Sequence, residues 1–259
     1  MTKKLFLVML VLLSILLITT AYILNKNKGI QPAQKSETKQ PQEKKPETKP
    51  KVESEESNKQ VTADTKTASS LTYIVNKKHP LPSEYEPNDL VRVPVKTNGT
   101  PWALRKEASD QLVKLFKAAE KDGIYLRLGS GYRSYSYQKQ LYNSYARQNG
   151  KEASDKFSAR AGYSEHQTGL AADILGADVN YDFSQRFETQ KEAIWLKKHA
   201  PNYGFVLRFI KGKESITGYM FEPWHYRYIG TNLAKKVQQA GNDVTLEEYF
   251  NVEGGNYKN

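Results

Sequence analysis

Apolar and polar positions change their rhythm twice along the chain. Residues 5–24 are almost uninterruptedly apolar, residues 25–70 carry almost no large apolar side chain, and from residue 71 onward apolar positions recur with the periods of folded elements. The first block follows Lys3 and Lys4 and is twenty residues long. At a rise of about 1.5 Å per residue it spans a hydrocarbon core of roughly 30 Å, which predicts a transmembrane signal anchor over residues 1–24. A cleaved signal peptide is the alternative; its apolar region would be shorter, and no Ala-x-Ala cleavage site follows here. The second block consists mainly of Lys, Glu, Gln, Pro, Ser and Thr, which cannot bury a core. Residues 25–70 therefore read as a disordered linker with an r.m.s. span of about 35–40 Å or more. Residues 71–259 are enough for one domain stabilised by burial.

Within that domain the pattern predicts a succession of short elements. Three prolines, Pro80, Pro82 and Pro87, make residues 76–88 an irregular wrap. Residues 90–95 alternate weakly, as a short strand does. Ala108, Leu112, Leu115, Phe116 and Ala119 recur at helical spacing and predict a helix over 105–122, closed by Gly123. A strand over 124–128 and a helix over 135–148 follow, then a short helix over 151–159. A strand over 170–175 comes next. The helix over 188–199 is predicted to turn Ala193, Ile194 and Leu196 inward. Residues 205–210 and 215–221 are predicted to pair as a hairpin around Lys211-Gly212-Lys213, with the second strand delivering residues 222–225. Thr231 is predicted to cap a helix running to Ala240, and residues 246–250 add a last helical turn.

Composition narrows the function. The net charge of +11 is spread out: Lys3 and Lys4 contribute, and residues 25–70 hold ten Lys against seven acids. No basic run with interleaved aromatics appears, which argues against a nucleic-acid partner. A mildly basic, exported protein suits an anionic cell wall. The absence of cysteine excludes disulfides and thiolate ligands.

Two short stretches concentrate the metal-competent chemistry. Ser164-Glu165-His166-Gln167-Thr168-Gly169-Leu170-Ala171-Ala172-Asp173 and Glu222-Pro223-Trp224-His225 together supply two histidines, an aspartate and a glutamate beside Glu165. Two His and one carboxylate make a three-ligand zinc site with an open position, and a nearby carboxylate is the base that metal-assisted hydrolysis needs. Spacing constrains the backbone. On one helix His166 and Asp173 would stand about 10 Å apart along the axis. On one strand an odd offset would send them to opposite faces. The expected solution is a loop carrying His166 that turns at Gly169 into the strand carrying Asp173. The same parity problem between Glu222 and His225 points to a bulge or strand start at Pro223. His199 at a helix end and His79 before Pro80 read as structural or exposed residues, and Glu165 as a carboxylate that supports a ligand from behind or lies on the surface.

These residues resemble the LAS group of zinc metallopeptidases (lysostaphin, D-Ala-D-Ala peptidases, sonic hedgehog), and within it the VanY and LdcB type of D-alanine carboxypeptidase. The group's pattern, Ser-x-His-x-x-Gly-x-Ala-x-Asp followed by Glu-x-x-His, is met by Ser164, His166, Gly169, Ala171, Asp173, Glu222 and His225. Ser130-Gly131-Tyr132-Arg133-Ser134 matches a third motif upstream. The resemblance implies an α+β fold with a small central antiparallel sheet flanked by helices. It implies one Zn²⁺ per chain on His166, Asp173 and His225, with Glu222 as base and Arg133 on the substrate or its developing oxyanion. Gln138 and Ser164 match substrate-contacting positions, whereas Tyr135, Leu141, Tyr142 and Tyr145 read as packing. The implied reaction is removal of a terminal D-alanine from peptidoglycan stem peptides by a monomer. The catalytic domain would lie outside a single-pass anchor in the cell membrane, or be secreted if the anchor is cleaved. Cleavage at the L,D bond of tetrapeptide stems, an endopeptidase cut, a wall-anchoring domain that binds glycan without cutting, and a zinc-containing binding module remain open. The motifs do not separate the bonds, since specificity is expected in loops such as residues 76–88 and 178–186.

Overall fold

A computed structural model describes residues 63–258. The anchor expected over residues 1–24 and most of the linker lie outside the described residues, among which no helix is long and apolar enough to cross a membrane. The part of the linker that is described is folded onto the domain. Thr72 Oγ1 donates to the Asp64 carbonyl at 2.9 Å, and Arg105 Nη1 donates to the Ser69 carbonyl at 2.7 Å. Folded structure thus begins before Leu71: a polar composition does not prevent ordering when backbone carbonyls find partners on the domain.

The chain forms β1 (Leu90–Arg92), β2 (Ala103–Arg105), α1 (Lys106–Lys121), β3 (Leu126–Ser130), α2 (Tyr135–Asn149) and α3 (Lys151–Ser154). It continues with β4 (Ala171–Gly176), α4 (Lys191–His199), β5 (Phe205–Leu207), α5 (Glu214–Thr217), β6 (His225–Tyr228), α6 (Thr231–Ala240) and α7 (Leu246–Phe250). β1 and β2 make a two-stranded ribbon, and the other strands form one antiparallel sheet in the order β3-β4-β6-β5. This is an α+β fold.

Side-chain alternation gives the sheet two unlike faces. Leu128, Ala172, Ile174, Tyr226 and Tyr228 join Leu112, Leu115 and Ala119 of α1 and Leu196 of α4 in the main apolar core. The helical spacing of Ala108, Leu112, Leu115 and Ala119 is what buries that side of α1. A second cluster joins Ile74 of the N-terminal arm to Val206, Ile229, Ala234, Val237 and Leu246. The opposite sheet face carries Asp173, His225 and Arg227.

The structure corrects several expectations. β5 pairs with β6, not with residues 215–221, where Glu214–Thr217 is a single helical turn ended by Gly218 at φ 80°. All four residues of His-Tyr-Arg-Tyr in β6 are buried, as in an inner strand covered on both faces, here between β4 and β5. Ile194 is 62 % exposed, because α4 buries only Glu192, Ala193 and Leu196. Thr231 is the first residue of α6 and makes no capping bond, whereas Thr245 closes a capping box with Glu248 on α7. The helix expected over 151–159 stops at Ser154.

Candidate active site

Three connections bring the chemistry together. The first follows β3, where Ser130 pairs with Asp173 across a bulge. The second is the 3-10 turn Glu165–Thr168, which Gly169 ends at φ 67° before β4 begins. The positive φ is what favours glycine at 169, and a Cβ there would also press on Leu90 Cδ2 at 2.8 Å. The third is the Pro223-Trp224 turn, in which the His225 N–H donates to the Glu222 carbonyl at 3.1 Å before β6 starts. The expected turn at Gly169 is present, and the bulge or strand start expected at Pro223 is a turn there, with β6 beginning two residues later. They resolve the parity problem: Asp173 and His225 are direct cross-strand partners, and His166 and Glu222 reach them from loops.

His166, Asp173 and His225, all buried, each offer one ligand atom, with these atoms within 4.8 Å of one another. His166 Nε2 lies 3.3 Å from Asp173 Oδ2, and His225 Nδ1 lies 3.2 Å from Asp173 Oδ1. Ligand atoms of a tetrahedral ion bound at about 2.0–2.2 Å stand roughly 3.4 Å apart, so the spacing suits zinc. His166 Nε2 and Asp173 Oδ1 are moreover buried with no hydrogen-bond partner, a costly arrangement that a bound cation would relieve. The two rings present different nitrogens. His166 Nδ1 donates to the Gly131 carbonyl at 2.6 Å, which leaves Nε2 for a metal. His225 Nε2 faces Glu165 Oε2 at 3.3 Å, which leaves Nδ1.

Electrostatics agree with that fit. Burial, reinforced by Arg133, lowers the His166 pKa to about 4, so the ring is neutral at pH 7, as a ligand must be. Burial opposes charge on His225, but Asp173, Glu165 and Glu222 overcome it and raise its pKa well above the ordinary value. Three carboxylates around one ring are a field that favours a cation. Asp173 is held below the usual carboxylate range because the two histidines outweigh its burial.

Glu222 Oε2 is 3.4 Å from His225 Nδ1, and burial raises its pKa against the pull of His225. A raised pKa makes the carboxylate a better proton acceptor, which is what a general base needs. The Arg133 guanidinium has a buried Nε without a partner, while its backbone N–H donates to the His166 carbonyl at 3.2 Å. Its pKa is lowered by burial and supported by Asp173 and Glu222.

The site floors a cleft of about 470 Å³. Arg133, Gln138, Ser164, His166, Asp173, Glu222 and His225 all line it. Gln138 spends its amide nitrogen on the Ala159 carbonyl at 2.7 Å and keeps Oε1 unpartnered. Leu141 and Tyr145, expected only to pack, are also in the wall. Phe183 is the sole wall residue from the loop over 178–186, and residues 76–88 contribute none. That N-terminal wrap instead packs behind the site, with Asn76 Nδ2 donating to Glu247 Oε1 at 3.1 Å.

Sequence reasoning left Glu165 between a place behind the ligands and one on the surface, and missed the buried cations that settle it beneath the histidines. Glu165 Oε1 accepts from Arg208 Nε at 2.7 Å and from Arg227 Nη1 at 2.9 Å. Glu247 receives Arg208 in a bidentate pair at 2.7 and 2.8 Å. Both guanidiniums are wholly buried. One signal was available: Arg227 sits between two core tyrosines at the same parity as His225.

Residues 102–231 match the VanY family, described as D-alanyl-D-alanine carboxypeptidase. The chain is 36% identical over 180 residues to the bifunctional D-Ala-D-Ala dipeptidase and D-Ala-D-Ala carboxypeptidase VanXYC of Enterococcus gallinarum, covering 68% of this chain and 91% of that one. Among solved structures it is similar to the LdcB LD-carboxypeptidase, with TM-score 0.68 and 40% identity over 73% of this chain and 89% of the other. It is also similar to a mutant form of the vancomycin resistance D,D-pentapeptidase VanY from the VanB-type cassette in complex with Zn(II), with TM-score 0.56 and 31% identity over 70% and 98%.

Proposed function

The chain belongs to the VanY family of D-alanyl-D-alanine carboxypeptidases, and on that premise we propose that it is a zinc carboxypeptidase that removes terminal D-alanine from peptidoglycan stem peptides. The observation that carries the reading is the convergence of His166, Asp173 and His225 within 4.8 Å, with Glu222 Oε2 at 3.4 Å from His225 Nδ1.

His166 through Nε2, Asp173, and His225 through Nδ1 would hold the ion. A zinc ion bound there supplies a Lewis acid that acidifies water and polarises a carbonyl. Glu222 accepts the proton of the water that attacks the scissile carbonyl and delivers it to the leaving amine. Arg133 bears on the negative charge that builds on the carbonyl oxygen. Gln138 and Ser164 line the cleft, where they would meet substrate.

A second reading has its own support. The LdcB LD-carboxypeptidase is 40% identical and the D,D-pentapeptidase 31%, so likeness in sequence leans toward L,D-cleavage of tetrapeptide stems. Mass spectrometry of muropeptides after incubation decides. Pentapeptide stems shortened by one alanine are the expected result. Shortened tetrapeptide stems support the L,D reading, and untouched stems overturn both in favour of a binding module.

The apolar run over residues 5–24 and the polar stretch that follows support a chain held at the cell membrane, its catalytic domain reaching into the wall. Membrane fractionation of the full chain, beside a form starting near residue 60, tests this. Loss of the shorter form from the membrane is expected, and its retention would count against the anchor.

A further inference from the structure

We propose that Glu165 is the positioning residue for the His225 ligand, and that Arg208 and Arg227 hold it in that task from behind. The inference rests on the zinc-site reading above and adds a residue to it.

The two oxygens of Glu165 are divided between two jobs. Oε1 receives Arg208 Nε at 2.7 Å and Arg227 Nη1 at 2.9 Å, while Oε2 faces His225 Nε2 at 3.3 Å. His225 has one other ring nitrogen, and Nδ1 already faces Asp173 Oδ1 at 3.2 Å and Glu222 Oε2 at 3.4 Å. For Nδ1 to offer a lone pair, the ring proton must sit on Nε2, and Glu165 is the acceptor that stands there. A ligand imidazole whose second nitrogen is held by a carboxylate is fixed in tautomer and orientation and made more basic.

The arginines leave Glu165 no other arrangement. Arg227 lies two residues beyond His225 on β6, and therefore on the same face. Its Nη2 donates to the Leu71 and Tyr73 carbonyls, at 3.1 and 2.8 Å, which fixes the guanidinium. Arg208 gives its other edge to Glu247 at 2.7 and 2.8 Å, so Nε is what remains for Glu165. His166 is set differently, by the Gly131 backbone carbonyl at 2.6 Å. One zinc ligand is thus positioned by main chain and the other by a buried ion network. A network that served packing alone would have no reason to end on a ring nitrogen of a ligand.

The test compares Glu165→Gln with Glu247→Gln. Both remove one carboxylate charge from the same Arg208, but only the first touches His225. Zinc affinity is measured by chelator competition, and thermal unfolding is followed without zinc. Both variants should melt at lower temperature. Zinc affinity should fall about 10- to 100-fold in Glu165→Gln and stay at the wild-type value in Glu247→Gln. Equal weakening in both, or wild-type affinity in Glu165→Gln, overturns the proposal. Should Glu165→Gln fail to fold, proton–nitrogen NMR of the zinc-loaded wild type takes its place. His225 Nε2–H should appear as a downfield, slowly exchanging proton, and rapid exchange would overturn the proposal. Zinc binding by His166→Ala tests the underlying reading separately: zinc lost there, with Glu165→Gln unaffected, keeps the site and rejects the role of Glu165.

Discussion

On one face of the four-stranded sheet, Leu128, Ile174, Tyr226 and Tyr228 pack against Leu112 and Leu115. One residue away along the same strands, Asp173, His225 and Arg227 face a cleft and a buried cluster of Glu165, Arg208 and Glu247. The apolar face is held by non-directional contacts, which tolerate substitutions that keep volume. The charged face has no such tolerance, because each desolvated charge needs its own partner at hydrogen-bond distance. The fold therefore keeps a rigid apolar layer directly behind a layer whose charges each serve the site or its support.

The largest effect should come from Glu222→Gln, which alters the charged face without altering its shape. Turnover should fall roughly 10²–10⁴-fold, the scale of a lost general base, with zinc content unchanged. Zinc and turnover are measured on one preparation; full zinc with near-normal turnover would refute the base role, and lost zinc would make Glu222 a ligand.

The next effect sets the faces against each other directly. Arg208→Met leaves Glu165 with Arg227 alone and Glu247 with only the Asn76 amide, and should cost about 3–5 kcal/mol. Leu112→Ala leaves an apolar cavity and should cost about 2–5 kcal/mol. Urea unfolding measures both, and chelator competition separates them: Arg208→Met should also weaken zinc binding, while Leu112→Ala should not. Zinc affinity lowered alike by both would erase the distinction between the faces.

A smaller, pH-dependent effect belongs to Lys77, a buried cation away from the metal ligands. Its Nζ donates to the Gly218 carbonyl and lies over the Tyr219 and Tyr257 rings at 4.6 and 5.0 Å. Burial lowers its pKa from 10.5 to about 8, with Asp155 opposing and Arg160 assisting. Between those two pH values the unfolded chain binds the proton that the folded chain has released, so stability rises with pH. Relative to Lys77→Met, wild-type stability should climb from pH 8 to pH 10. A flat difference across that window would mean that Lys77 keeps its proton in the fold.

The smallest effect is expected at Ile194, apolar in sequence yet 62 % exposed. Ile194→Ser should change stability by no more than about 0.5 kcal/mol by urea unfolding. A core-sized loss would restore the inward orientation that its spacing suggested.

Much of the site was legible in the chain. His166, Asp173, Glu222 and His225 are metal-competent residue types whose odd spacings permit few backbone solutions, and Gly169 and Pro223 mark the two that occur. The helix around Leu112 and Leu115 was legible for a similar reason, since its local period names the buried face. Tertiary structure alone decided which strand lies beside β5, which side of α4 is covered, and where Glu165 points. An apolar period gives a face but not its partner. A buried carboxylate is assigned by cations 43 and 62 residues away, whose arrival depends on strand order and on the elements packed behind it.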